Sequence, residues 1–200
     1  MKIPVLRYLT GFACWLFSAT GVLAAPLNAD DSQRAVDSAD KQFKDVKEGA
    51  NADYIPILAT VPREMFGVVI VTRDGQVYSA GELDYEFSIQ SVSKPFTAAL
   101  IMAEQGPKTI REQIGIEPTG LAFNSKLALD IDPERSVNPL VNAGAIAAVS
   151  LVNATSEEER WQKVLGNISD YAGRDLKILD AVYKSEYESS WSNRGIASLL

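Results

Sequence analysis

The spacing of apolar residues differs between residues 68–81 and the segment from Phe96 onward, and that difference limits the folds that the chain can form. Residues 68–71 are a run of valine and isoleucine, which is typical of a short strand. Asp74-Gly75 is a hairpin signal, so a return strand is expected over residues 77–81. From Phe96 onward the apolar residues recur at helical spacing instead. Strands followed by a helical block predict an α+β fold with an antiparallel sheet.

Turn residues and apolar spacing also predict the other segments. In the first half these are a helix with Val36, Ala39, Phe43 and Val46 on one face that stops near Gly49, an extended connection at Tyr54-Ile55-Pro56, and a helix that ends near Gly106-Pro107. In the second half, loops and short helices are expected over 108–137 and a small-residue helix start at 142–148. A further helix is expected from the capping box of Ser156 and Glu159 to Gly173, with Trp161, Leu165 and Ile168 as its buried stripe. The last prediction is a helical region over 176–200.

Length and charge limit the classes of function. Two hundred residues are enough for one domain or most of one. The formal net charge of −7 argues against a nucleic acid partner, because neutralising phosphates requires clustered lysine and arginine. We interpret this negative charge as a solvated acidic surface.

Residues 1–25 have the pattern of a signal peptide. Two basic residues precede a mostly apolar stretch over 9–22, and small residues ending at Ala24 suit a signal peptidase. The apolar stretch is shorter than the roughly 20 residues that span a bilayer. We therefore expect export to the periplasm or the medium, a mature domain over 26–200 and no stable membrane anchor after cleavage. An anchor that stays uncleaved is the alternative.

Cleavage at this site would remove Cys14, the only cysteine, and the chain contains no histidine. The mature chain would then have no disulfide, thiolate nucleophile or Cys/His zinc site, and no Ser-His-Asp triad. A base or nucleophile must be Ser, Thr, Lys, Tyr, Asp or Glu. No metal site is predicted.

Ser91-Val92-Ser93-Lys94 fits the pattern S-x-x-K at the start of an apolar helix that follows the predicted hairpin. Residues three apart on a helix share a face, so Ser91 Oγ is expected beside the Lys94 amine. Burial lowers the pKa of a lysine, and a neutral amine can take the serine proton. A serine that caps a helix near an exposed lysine is the alternative interpretation, and Ser93 is the competing nucleophile.

Five segments together resemble the serine-dependent glutaminase family, which has the β-lactamase/penicillin-binding-protein fold. Residues 87–94, F-S-I-Q-S-V-S-K, are similar to the nucleophile segment of that family. The others are D-Y-I-P-I-L-A at 53–59, E-P-T-G-L-A-F-N-S at 117–125, N-P-L-V-N-A-G-A-I at 138–146, and Ser185-Glu186 with Asn193. The resemblance runs from about Asp53 to Leu200.

The resemblance implies hydrolysis of L-glutamine to L-glutamate and ammonia without a cofactor. It makes Ser91 the nucleophile, which also contacts the substrate, and Lys94 its base. The implied substrate-binding residues are Tyr54, Asn142, Glu186 and Asn193. A free amino acid presents an ammonium and a carboxylate, and a pocket with one carboxylate, two amides and a hydroxyl matches both.

Each implied binding residue also has an ordinary structural interpretation. Asn142 resembles a helix cap, Tyr54 a core aromatic, and Glu186 and Asn193 a solvated stripe on one helical face. Glu117 and Asn124 are interpreted as residues that fix a loop and are left out of the site.

The chain departs from the family pattern in two ways that bear on activity. Ser192 precedes Asn193 and Arg194 follows it, where the family usually has arginine before the asparagine. The resemblance also implies that 26–200 is the N-terminal two thirds of a glutaminase domain whose C-terminal part is missing. By resemblance a complete protein is expected to form a homodimer or homotetramer.

Two other functions remain open from the sequence. S-x-x-K and export also suit a serine acylase of β-lactams or peptidoglycan peptides, and Ser136-Val137-Asn138 offers the S-x-N of such enzymes. A non-catalytic protein that binds an amino acid is the other alternative.

Overall fold

The structure is a computed structural model, and it describes residues 28–131 and 138–200. The elements over these residues are two strands, eight α-helices and two short 3-10 turns. In chain order they are α1 Ala29–Phe43, a 3-10 turn Pro56–Thr60, β1 Gly67–Val71, β2 Val77–Gly81, a 3-10 turn Gln90–Val92, α2 Ser93–Gln105, α3 Pro107–Gln113, α4 Leu127–Ile131, α5 Asn142–Leu151, α6 Glu157–Ala172, α7 Asp180–Ser189 and α8 Trp191–Leu199. The predicted signal peptide and the first two residues of the Ser136-Val137-Asn138 motif lie outside the described residues.

Helix α1 begins at a polar cap and ends earlier than its apolar spacing predicts. The Asp31 N–H donates to Asn28 Oδ1 at 2.7 Å, which satisfies one free donor of the first turn. The helix stops at Phe43 rather than near Gly49. Val36 is buried, whereas Phe43 and Val46 are about half exposed, so beyond Phe43 no buried face supports further turns.

The hairpin forms as predicted, with Gly67 opposite Gly81 and Val71 opposite Val77. Its loop is closed by the Thr72 N–H, which donates to Gln76 O at 2.9 Å, and Gly75 takes a positive φ of 85°. Helix α1 packs on this two-stranded sheet. The connection before it is extended at Ile55, as expected for a residue ahead of proline.

The helical block has its own core. Its buried residues come from α2, α3 and the α5 region, and α6 covers them with Val164. They are Ala98, Ile101, Ile110, Ile114, Ala148 and Val152. An antiparallel hairpin followed by helices is the α+β arrangement that the sequence predicts.

The start of α5 is pressed against the loop before it. A Cβ on Gly144 would lie 1.7 Å from the carbonyl oxygen of Asn138, closer than any real contact. The small residues of this helix therefore allow the close backbone approach that their sequence predicts. This approach fixes where the first residue of α5, Asn142, lies.

Helix α6 runs from Ser156 to the left-handed Gly173 as predicted, with two differences in detail. The Glu159 carboxylate accepts from the Thr155 hydroxyl and from the Thr155 N–H, each at 2.7 Å, rather than from the Ser156 N–H. These two hydrogen bonds lower the pKa of Glu159. Ile168 is buried, but Trp161 is 40% exposed and faces a cavity. The predicted buried stripe is therefore wrong at Trp161.

The region over 176–200 is two helices rather than one. The break is at Ser190, whose φ and ψ of −82° and 35° interrupt the helix. Helix α7 packs against the 3-10 turn Pro56–Thr60 and α8 against α5, so tertiary contacts set two axes. Glu186 and Asn193 therefore do not share one helical face, which corrects the solvated-stripe interpretation. Across 28–131 and 138–200, no helix is both long and apolar enough to cross a membrane.

Candidate active site

One cavity of about 600 Å³ brings together all six residues that the sequence assigns to the site. Residues from the turn before α2, from α2 itself and from α5, α6, α7 and α8 line it. Among the side chains that line it are Tyr54, Ser91, Lys94, Asn142, Glu186 and Asn193. These residues come from the first connection, the start of α2 and three later segments, so only the tertiary fold makes them neighbours.

Ser91 lies in the 3-10 turn Gln90–Val92 immediately before α2, not in the first turn of α2 itself. Ser93, the competing nucleophile, also lines the cavity, but its Oγ–H donates to Gln90 O at 2.8 Å. That hydrogen bond engages the Ser93 hydroxyl in fixing the turn. The hydrogen bonds among the described residues include none that joins Ser91 Oγ to Lys94 Nζ.

Lys94 is held by a chain of side-chain hydrogen bonds. Its Nζ donates to Asn142 Oδ1 at 2.7 Å, and Asn142 Nδ2 donates to Asn193 Oδ1 at 3.0 Å. Lys94 Nζ also lies 5.5 Å from the centre of the Phe123 ring. Partial burial lowers the pKa of Lys94, because desolvation disfavours the charged ammonium. A neutral amine at this place can accept a proton.

Asn142 is not a helix cap, which corrects one alternative interpretation. The cap residue of α5 is Val141, and no side chain caps the helix there. The Asn142 side chain instead bridges Lys94 and Asn193, while its N–H donates to Phe123 O at 2.8 Å. Hydrogen bonds of both its backbone and its side chain therefore fix the position of Asn142.

Tyr54 and Glu186 also line the cavity. Tyr54 is 64% exposed, so it is not a core aromatic. The Ile57 N–H donates to Ser185 Oγ at 3.3 Å, and this contact ties α7 to the segment that carries Tyr54. Glu186, the residue after Ser185, is half-buried and lines the cavity.

Glu117, Asn124 and Arg194, which the sequence also indicates, do not line this cavity. Glu117 helps to fix a loop, because its carbonyl oxygen accepts from Asn138 Nδ2 at 2.9 Å and its carboxylate from the Ile116 N–H. The Arg194 guanidinium lies between two rings, 5.1 Å from the centre of Tyr187 and 4.3 Å from that of Trp191. Arg194 therefore does not replace the arginine that the family has before its asparagine.

Sequence reasoning missed some of the cavity wall. Gln90, beside the predicted nucleophile, lines the cavity, and so does Phe123 in the 117–125 block that was interpreted as a loop. Both belong to segments that resemble the glutaminase family, and this resemblance is the only sequence signal for them. The described part of the chain holds no group of three or more His, Cys, Asp or Glu that suits a metal ion.

The family model and the related sequences all indicate the same family. The glutaminase family model matches residues 49–200. The glutaminase of Mycobacterium ulcerans strain Agy99 is 47% identical over 173 residues, which are 86% of this chain and 54% of that protein. Glutaminase 1 of Escherichia coli K12 is 48% identical over 174 residues, which are 87% of this chain and 56% of that protein.

Solved structures agree with the sequence relatives. The probable glutaminase ybaS is 48% identical with a TM-score of 0.84, over 87% of this chain and 56% of that one. Mglu in its glutamate form is 34% identical with a TM-score of 0.76, over 84% of this chain and 39% of that one. The probable glutaminase of Bacillus subtilis is 29% identical with a TM-score of 0.66, over 74% and 48%.

The range that matches the family model, 49–200, includes both the hairpin and the helical block, and the matched structures have the β-lactamase-like fold. The α+β fold of this chain is therefore of that type. The chain spans about half the length of the curated relatives that it matches. The match to the family model, the sequence relatives and the shared fold show that this chain belongs to the glutaminase family.

Proposed function

We propose that the protein hydrolyses the side-chain amide of L-glutamine to L-glutamate and ammonia, without a cofactor. The observation that carries this proposal is the single cavity lined by Ser91, Lys94 and the four predicted binding residues. The related Mglu, 34% identical, has been solved in a glutamate form, which supports an amino acid of this class as ligand.

The proposed reaction has two steps, in which Ser91 and Lys94 act as one unit. Ser91 Oγ attacks the amide carbon while the neutral Lys94 amine takes the hydroxyl proton. When the C–N bond breaks, Lys94 returns that proton to the leaving nitrogen, ammonia departs and an ester to Ser91 remains. Water then attacks the ester carbon while Lys94 takes its proton, the bond from that carbon to Ser91 Oγ breaks, Lys94 returns the proton to Oγ, and glutamate leaves. The lowered pKa of Lys94 supports its role as a base, because it raises the fraction of the neutral amine.

The other cavity residues match the charged end of glutamine. The Glu186 carboxylate suits the substrate ammonium, and the Tyr54 hydroxyl suits the substrate carboxylate. Asn193 accepts from Asn142 through Oδ1, and its NH2 group remains a donor for that carboxylate. The Asn142 bridge thus couples the base to the binding residues.

Replacement of Ser91 by alanine tests the proposal. Ammonia release should fall at least about 10³-fold in Ser91→Ala and comparably in Lys94→Ala, because residues that act as one unit are not additive. Ser93→Ala is the matched control and should keep most of the activity. We would measure the full chain, and in parallel a hybrid in which residues 28–200 replace the matching residues of E. coli glutaminase 1.

Some outcomes would contradict the proposal. Loss of activity in Ser93→Ala with retention in Ser91→Ala would make Ser93 the nucleophile. Stable labelling of Ser91 by a fluorescent penicillin, without ammonia release, would favour an acylase of β-lactams or peptidoglycan peptides. Glutamine binding measured by calorimetry, again without ammonia release, would favour a non-catalytic binding protein.

The pattern of residues 1–25 supports export, which would place this reaction in the periplasm or the medium. N-terminal sequencing of protein from the cell envelope should then start near Ala25 or Pro26. By family resemblance we also propose a homo-oligomer.

A further inference from the structure

Gln90 has an unusual backbone conformation directly beside the proposed nucleophile. Its φ of 48° makes it the one non-glycine residue with positive φ in 28–131 and 138–200. Residues that have a Cβ rarely adopt a positive φ, because this conformation costs energy. Where one does, contacts with the surrounding structure hold it there. Gln90 is followed immediately by Ser91.

Contacts on both sides of Gln90 hold this conformation. Its carbonyl oxygen accepts from the Ser93 N–H and from the Ser93 Oγ–H at 2.8 Å. Its Nε2 donates to Ser88 Oγ at 3.0 Å. The turn is also closed by the Val92 N–H, which donates to Ile89 O at 3.2 Å. The backbone of this residue is thus fixed from the segments before and after it.

The left-handed residue separates two right-handed ones. Ile89 has φ and ψ of −64° and −26°, and Val92, at the end of the 3-10 turn, has −63° and −19°. One residue of opposite hand therefore changes the direction of the chain between the connection and α2. Ser91 is the first residue after that change, and it lines the cavity.

We propose that Gln90 is a positioning residue, whose left-handed backbone directs Ser91 into the cavity where Lys94 and the binding residues meet. This inference rests on the proposed function, since it assumes that Ser91 is the nucleophile. Gln90 acts through Ser91, and the property that matters is the sign of its φ, not its amide. Its side chain also lines the cavity, so the test must separate backbone from side chain.

Four substitutions of Gln90 make that separation. Gln90→Gly removes the side chain, and glycine adopts a positive φ without steric cost. Gln90→Asn keeps a side-chain amide, and asparagine tolerates a positive φ better than most residues. Gln90→Ala keeps only a Cβ, and Gln90→Val adds a branch there, which makes positive φ a genuine outlier. We expect kcat to follow the order Gly and Asn, then Ala, then Val.

The expected size follows from the sensitivity of a nucleophile to its position. A misplacement of about 1 Å can cost about 10²-fold in rate. We expect kcat to stay within about threefold of wild type in Gln90→Gly and to fall about 10²-fold in Gln90→Val, with KM for glutamine changed little. If Gln90→Val fails to fold by circular dichroism, Gln90→Ala carries the comparison.

A second readout does not depend on glutamine. Ser91 would be labelled with a fluorophosphonate and the rate followed by peptide mass spectrometry, in the full chain and in the hybrid. The labelling rate should follow the same order of variants. If wild type labels at Ser91 but releases no ammonia, the proposed function fails, and the labelling order still decides the role of Gln90.

Three results would overturn the inference. Equal kcat and labelling in all four variants would show that φ at Gln90 does not affect Ser91. A loss in Gln90→Gly as large as in Gln90→Val, seen mainly in KM, would make the Gln90 amide a substrate contact instead. A wild-type protein whose Ser91 does not label at all would remove the premise that this turn presents a reactive serine.

Discussion

At the scale of single residues, Asn142 is the contact that links the proposed chemistry to the proposed recognition. It accepts from Lys94 and donates to Asn193, over sequence separations of 48 and 51 residues. An amide can do both at once, because it offers an acceptor and two donors. An uncharged partner also leaves the lowered pKa of Lys94 in place, since it adds no negative charge beside the amine.

The first prediction concerns pH. Only the neutral Lys94 amine accepts a proton, so kcat should rise with pH through the pKa of Lys94, with a midpoint below the ordinary lysine value because burial lowers it. Asn142→Asp places a carboxylate beside the ammonium, which favours the charged form and raises that pKa. The rising limb of the profile of kcat against pH should therefore move to higher pH.

Asn142→Ala is the control for this shift. It removes the hydrogen bond to Lys94 without adding charge, so it should lower kcat without an upward movement of the midpoint. If the profiles of Asn142→Asp and wild type differ only by a scale factor, Lys94 is not the group that titrates.

The second prediction concerns recognition of the substrate ammonium. Glu186→Gln removes the charge of a half-buried carboxylate in the cavity, and a hydrogen bond to a charged group is worth roughly 1.5–3 kcal/mol. Glutamine affinity measured by calorimetry should weaken by about 10- to 150-fold. Glu188→Gln, on the exposed side of α7, is the matched control. Equal losses in the two variants would assign Glu186 a general electrostatic role only.

The sequence identifies residue types at this scale better than their partners. Ser91 and Lys94 are close in the chain, so helical spacing alone suggests a pair. Asn142 looks like a helix cap because its neighbours are small, and only the packing of α5 on α2 and α8 turns its side chain to other partners. Local pattern carries no information on contacts between segments so far apart.

At the scale of elements, the close approach at the start of α5 determines where Asn142 lies. Gly144→Ala should destabilise the protein by about 1–3 kcal/mol or more, because its Cβ would meet the Asn138 carbonyl and force the backbone apart. Chemical denaturation measures this loss. Activity should also fall, since the shift displaces the first residue of α5.

Gly166→Ala is the matched control for that variant. Gly166 lies within α6, and a Cβ there meets nothing within 4 Å. Alanine should stabilise the helix by roughly 0.5–1 kcal/mol relative to glycine. A Gly144→Ala protein as stable as Gly166→Ala would show that the loop before α5 moves aside freely.

Elements were predictable where local signals decide them. The hairpin follows from β-branched runs around Asp74-Gly75, and α6 from its polar start and Gly173. The break at Ser190 could not be predicted from the sequence, because neither proline nor glycine lies beside it. It arises because α7 and α8 pack against different neighbours, the 3-10 turn Pro56–Thr60 and α5.

At the scale of the whole molecule, one face of the two-stranded sheet stays largely exposed. Helix α1 packs on the sheet, and this packing makes a two-stranded sheet more stable than a hairpin alone. The exposed face is apolar, with Val69, Val71 and Val77 exposed by 48%, 64% and 61%. The order of strands and helices could be predicted from periodicity, but the exposure of one sheet face could not, because it depends on packing between segments that are far apart in the chain.

The last prediction follows from this open face. Residues 28–200 on their own should aggregate, or bind glutamine only weakly, because exposed valines on short strands favour association between copies. They should also hydrolyse glutamine more slowly than the hybrid with E. coli glutaminase 1, in which further segments can pack on the exposed sheet face. Size-exclusion chromatography with light scattering and an ammonia assay measure both effects. A soluble monomer of 28–200 with the activity of the hybrid would show that the hairpin, the helical block and the six cavity residues are sufficient for catalysis.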